Sequence, residues 1–165
     1  MFKVGDNIFY PLHGAGTIES IEEKNILGEN KKYYVMKMPI GDVKVMVPTD
    51  NAENIGVREI VKEDTVNKVF KVFDTATEME KISWSKRYKE NMDKMKTGDL
   101  VEIADVVKTL SFKQKDKGLS TSEKKMLNNA KQILVSELVL TNNKGKEEIE
   151  EMISDRIQNT YESMI

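Results

Sequence analysis

A chain of 165 residues, 39% hydrophobic and 33% charged, has room for one ordinary domain or two small ones. It has no cysteine and one histidine, which excludes disulfides and thiolate metal sites and leaves only scattered carboxylates as metal ligands. The net charge of −2 conceals an asymmetry: Trp84–Lys131 holds 12 Lys/Arg and 7 Asp/Glu, a net of +5, while the remainder holds 14 and 21, a net of −7.

The chain opens on Met-Phe-Lys-Val-Gly-Asp, without the apolar run of a leader, and no stretch approaches the roughly 18 apolar residues of a membrane span. A cytoplasmic protein without membrane association is expected. Residues 1 to about 57 then read as β structure. Asn7–Tyr10 is a short strand closed by Pro11, and Ala15–Ile21 and Lys31–Met38 are the next two. In Asp42–Val47 the valines Val43, Val45 and Val47 alternate with Lys44 and Met46. Glycines 14, 16, 28 and 41, with Pro39 and Pro48, mark the joints. Several short strands in so few residues predict a small, bent barrel of the SH3 or Tudor type.

His13-Gly14-Ala15-Gly16 superficially resembles a phosphate loop. It lacks the third glycine, and a strand follows instead of a helix, so a tight turn is the better reading. His13 has no partner that would make a base–nucleophile pair, and a structural role is expected for it.

Near Asn54–Val57 the period becomes helical. Glu63–Phe73 carries Val66, Val69, Phe70 and Phe73 on one stripe, and Thr75–Ile82 reads as a polar linker. Ser83 is a good N-cap for a helix running to about Lys96, with Tyr88, Met92 and Met95 on one face. Asp99 caps a helix carrying Ile103, Val106, Val107 and Leu110, which fades towards Gly118. Ser120 and Glu123 form a capping box for the helix that carries Met126, Leu127, Ala130, Ile133, Leu134 and Leu138. Asn142–Gly145 is a break. A last, acidic helix carries Ile149, Met152, Ile153, Ile157 and Tyr161, and is expected to be either a mobile tail or docked on the bundle. The fold class is α+β, with a β-barrel followed by an all-α bundle.

Functionally the richest stretch is Ser83-Trp84-Ser85-Lys86-Arg87-Tyr88-Lys89, which holds the only tryptophan. A flat apolar ring beside cations is equipment for entering a nucleic-acid groove while holding phosphates. A single tryptophan is more often a core residue, and Trp84 lies one turn before Tyr88, so spacing alone leaves both readings open. There is no Walker sequence, no Gly-x-Ser-x-Gly and no supported carboxylate pair, so neither catalysis nor a cofactor is expected.

The motifs taken together resemble the CarD family of bacterial transcription regulators. They are Phe2-Lys3-Val4-Gly5-Asp6, Tyr10-Pro11-x-His13-Gly14, Val47-Pro48, Asn51-Ala52-Glu53 and Gly56-Val57-Arg58. Further on come Trp84-Ser85-x-Arg87-Tyr88-Lys89, Gly98-Asp99, and Gly118-Leu119-Ser120 through Glu123-Lys124 to Ala130-x-Gln132-Ile133-Leu134. The likeness spans about residues 2–140. It implies that residues 1–56 are a Tudor-like module binding the β subunit of RNA polymerase. Residues 57–165 would be a helical domain contacting promoter DNA, in the minor groove and without sequence readout, at the upstream edge of the transcription bubble. It places Trp84 as a wedge at the fork, with Lys86, Arg87, Lys89 and Lys124 on the backbone; a monomer is expected. Family members often carry Arg at two polymerase-facing positions that here hold Lys24 and Met46; Lys44 lies beside the second. Lys24 keeps the charge without the guanidinium fork, and Met46 loses the charge. The alternative is a protein–protein adaptor whose cations are only a solvated surface.

Overall fold

The computed structural model describes residues 1–77 and 82–165. Of the expected linker Thr75–Ile82, residues 78–81 lie outside the described residues.

Five strands come first: β1 (Asn7–Tyr10), β2 (Gly14–Ile26), β3 (Glu29–Lys37), β4 (Lys44–Pro48) and β5 (Arg58–Glu59). They form one antiparallel sheet in the order β4-β3-β2-β1-β5, so β4 and β5 are its edges. The β2–β3 hairpin is longer than hydrophobic alternation suggests. Leu27 and Gly28, at φ 54° and 83°, form a two-residue turn that lets the ladder continue through exposed polar positions. Between Ile18 and Ser20 the register shifts, and the resulting bulge bends β2. The sheet continues to Glu59, beyond the change of pattern near 54–57, because β5 pairs with β1.

The two faces of the sheet bury different things. On one face Ile8, Ile18, Tyr34, Met36 and Val47 pack with Ala52 and Val57 into a small core. On the other, Phe9 and Ala15 are fully buried in the core of the helices. The close approach explains the glycine before Ala15. Gly14 has φ 111°, and a Cβ there would lie 2.8 Å from Ser136 Oγ. The Ala15 amide donates to that same hydroxyl at 2.9 Å. His13 stacks on Tyr10, ring centroids 4.3 Å apart, within the turn.

Among the described residues five helices follow: α1 (Glu63–Asp74), α2 (Trp84–Lys96), α3 (Leu100–Asp116), α4 (Thr121–Asn142) and α5 (Lys146–Ser163). Ser83 and Asp99 each accept a backbone N–H at the helix they start, and Ser120 and Glu123 complete a capping box. Helix α3 is central; Leu100, Ile103, Ala104, Val106, Val107, Leu110 and Phe112 are all buried. Asn143, left-handed at φ 52°, ends α4 at the expected break.

Helix α5 docks on the bundle. Ile149, Ile153 and Ile157 are buried, Thr160 Oγ1 donates to the Phe73 carbonyl at 2.6 Å, and Arg156 pairs with Asp74 at 2.7 Å. No helix among the described residues is long and apolar enough to cross a membrane.

Sheet and bundle are joined by a polar clasp. Glu137 of α4 is fully buried and takes both arms of Arg58, at 2.7 and 3.0 Å, plus the Val61 amide at 2.7 Å. The same guanidinium donates to the Gly98 carbonyl and lies 4.2 Å from the centroid of the Phe9 ring. One side chain of β5 thus touches β1, α4 and the α2–α3 corner.

Candidate nucleic-acid interface

The start of α2 is built by its cap. Ser83 Oγ accepts the Lys86 amide at 3.3 Å, which places Trp84 at the first helical position. Trp84 is 46% exposed, so it is not a core residue. Its ring stacks on Tyr88, one turn later, with centroids 5.4 Å apart and planes 21° from parallel. Its Nε1–H donates to Ser120 Oγ at 3.0 Å.

Ser120 is the N-cap of α4, so this bond brings the first turns of α2 and α4 together. A second link reinforces it. Glu123, 2% exposed, accepts from Arg87 Nε at 2.8 Å and from Nη2 at 3.3 Å. Burial pushes the Glu123 carboxyl up, but the bond and charge of Arg87, with the Ser120 contacts, outweigh it and hold the group below its ordinary value.

The cations of the basic segment divide into two sets. Lys94 is paired with Asp105. Lys108 is buried, with Nζ donating to Thr77 Oγ1 at 2.6 Å and to the Thr75 carbonyl at 3.3 Å; burial lowers its pKa. Arg87, with a side chain 14% exposed, is spent on Glu123. By contrast Lys86, Lys89, Lys124 and Lys125 are exposed and make no ion pair with any described residue. Helical spacing did not reveal that Arg87 differs from its neighbours. Its partner lies 36 residues away, and only Glu123's place in the capping box hinted that its carboxylate would be turned inward.

The ionised Glu123 should stabilise the fold. Because its folded pKa is depressed, the contribution is fully present above the unfolded value near 4.5 and is lost as pH falls through the lower folded value. A Glu123→Gln chain is expected to be less stable than wild type by about 2 kcal/mol at pH 7. In urea titrations that difference should narrow below the ordinary carboxylate range; a difference constant down to strongly acidic pH would contradict the ion pair.

On the sheet, Lys24, Lys44 and Met46 share one face. Lys24 is opposite Lys31, Met46 opposite Val35 and Lys44 opposite Lys37, all of one parity along β3. They are not adjacent. Lys31 and Val35 are about 13 Å apart along the strand, so Lys24 belongs to the hairpin tip and Met46 to the β4 edge. Lys44 is held by Glu19 at 2.9 Å, and that bond and charge raise its pKa. Met46 is 36% exposed. Among the described residues, no group of three or more His, Asp or Glu is placed to hold a metal ion.

Fold and site together define an α+β protein, in which a bent antiparallel sheet is clasped to a helical bundle that displays an indole among lysines. Residues 2–61 match the family described as CarD-like/TRCF RID domain, and residues 68–154 match CarD, C-terminal domain. A protein of Bacillus subtilis (strain 168) named "Putative transcription factor YdeB" is 44% identical over 138 residues, covering 84% of this chain and 90% of that one. The chain belongs to the CarD family of transcription factors, and its sheet is the Tudor-like module of that family. The C-terminal match reaches into α5, further than the motifs alone carry the likeness.

Proposed function

We propose that this chain is a non-enzymatic, cytoplasmic regulator that stabilises the promoter open complex. The sheet face carrying Lys24, Lys44 and Met46 binds the β subunit of RNA polymerase. This tether raises the local concentration of the helical module near the upstream edge of the bubble. There Lys86, Lys89 and Lys124 hold phosphates, which positions the protein without reading sequence. Arg87 acts differently from these lysines: it locks α2 to α4 through Glu123 and so orients the wedge. Trp84 occupies the distorted minor-groove step, a geometry that exists only in melted promoter, so binding there favours the open state. The protein acts as a monomer.

The observation that carries this reading is the Trp84 ring. A large apolar surface is kept in water at the start of a helix, stacked and hydrogen-bonded in place, with exposed lysines around it that pair with no described residue. A core tryptophan would be covered, and an idle surface position would have no reason to be so restrained.

Salt dependence tests the reading. Affinity for polymerase–promoter complexes should fall steeply with salt, at a log–log slope of about −0.9 per phosphate neutralised. Each of Lys86→Ala, Lys89→Ala and Lys124→Ala should flatten the slope by about 1. Polymerase binding that is unchanged by added DNA, with no flattening in any lysine variant, would make the chain a protein–protein adaptor instead.

A further inference from the structure

We propose that Ser120 is the positioning residue that holds Trp84 in the orientation required at the fork; this rests on the wedge reading above. The Ser120 hydroxyl has one proton and two lone pairs. Its oxygen accepts from Trp84 Nε1 at 3.0 Å and from the Glu123 amide at 3.2 Å, while Glu123 Oε1, at 3.3 Å, is the acceptor for its proton. The assignment is forced, because an indole N–H and a backbone N–H can only donate, and a carboxylate can only accept. Every bonding site of the hydroxyl is therefore filled, and its rotation is fixed.

Glu123 is itself held by Arg87, and Arg87 stands three positions after Trp84 on α2. The contacts close a ring: Trp84 to Ser120, Ser120 to Glu123, Glu123 to Arg87, and back along the first turn of α2 to Trp84. Tyr88 supports the indole face within the same helix. A half-exposed tryptophan without such contacts would sample several rotamers and would lose that freedom on entering DNA. Here the ordering is done before the encounter, which strengthens binding without adding a contact to DNA. It also turns the only polar atom of the ring towards protein, so the wedge presents shape and apolar surface.

Because Trp84 is the only tryptophan, intrinsic fluorescence reports on this ring alone. Ser120→Gly removes the hydroxyl, yet glycine is a tolerable N-cap, so helix α4 should persist by circular dichroism. In Ser120→Gly, the fast component of the fluorescence anisotropy decay should grow. The open-complex lifetime gained from the protein should fall about threefold to tenfold, with polymerase affinity unchanged. Ser120→Thr, which keeps the hydroxyl, should restore both. Trp84→Phe removes the N–H and leaves Ser120 in place. If the hydroxyl acts through the indole, Ser120→Gly should add little in that background.

Additive losses in the double variant, or a full lifetime effect in Ser120→Gly despite a loosened ring, would overturn the proposal and leave Ser120 as a helix cap. A loosened ring together with a Trp84→Ala variant as active as wild type would instead overturn the wedge reading on which it rests.

Discussion

Replacing Glu137 by alanine should cost the protein about 3 kcal/mol of stability, near the lower end of what breaking a buried pair costs. Glu137 is fully buried, and both of its oxygens are used, one by Arg58 and the other by Arg58 and the Val61 amide. Alanine would leave the Val61 N–H without its partner and the guanidinium without its counter-charge, and would open a void between α4 and the sheet. The loss stays at the lower end because the Arg58 side chain is 30% exposed and retains the Gly98 carbonyl. For a chain of this size the midpoint of thermal unfolding should drop by about 9 °C. Urea unfolding would measure it. Arg58→Met with Glu137→Leu should recover only part of the loss: an apolar pair has no charge to desolvate, but the Val61 amide and the Gly98 carbonyl still lack their partners. A Glu137→Ala chain within about 0.5 kcal/mol of wild type would show that apolar contacts alone join the sheet to the bundle.

The largest functional effect is expected at Trp84. Trp84→Ala should leave folding nearly intact, because the ring is half in water and outside the apolar cores. Polymerase affinity should also be unchanged, since the sheet face lies on the other module. The lifetime of the open complex in the presence of the protein should fall about tenfold towards that of polymerase alone. Such a change corresponds to a preference of about 1.4 kcal/mol for the melted promoter. Lifetime is measured by challenging preformed complexes with competitor DNA. If wild type and Trp84→Ala lengthen it equally, Trp84 is not the wedge and the lysines carry the DNA contact. If neither lengthens it while polymerase still binds the chain, the adaptor reading stands.

Much of this was legible in the chain. The strands announce themselves by alternation and by glycine or proline at their ends, and the helices by their three-four stripes. Ser83, Asp99 and the Ser120–Glu123 box locate three helix starts to the residue, because a cap is a local hydrogen bond within one turn. The family was legible from ordered motifs. The hairpin tip was less so, since exposed strand carries no apolar period: residues 22–26 and 29–32 are held by ladder hydrogen bonds and a two-residue turn. Strand β5 was missed because two residues are too few to show a period, and only β1 beside them makes them a strand.

The sequence by itself determined the elements other than β5 and the hairpin tip, their order, three of the helix caps and the family, since each depends on residues close together in the chain. Only the tertiary structure decided which charges are available. Arg87 and Lys86 are neighbours of like sign, yet one is clamped by a buried carboxylate on another helix and the other is left in water. Arg58 and Glu137 stand 79 residues apart, and only packing joins them. Trp84 could have turned to the core or to solvent, and the hydroxyl of Ser120, 36 residues on, holds it at the surface. Helical spacing tells which face of one helix a side chain occupies; the neighbour that face meets, and the charge waiting there, is set by how the helices and the sheet pack.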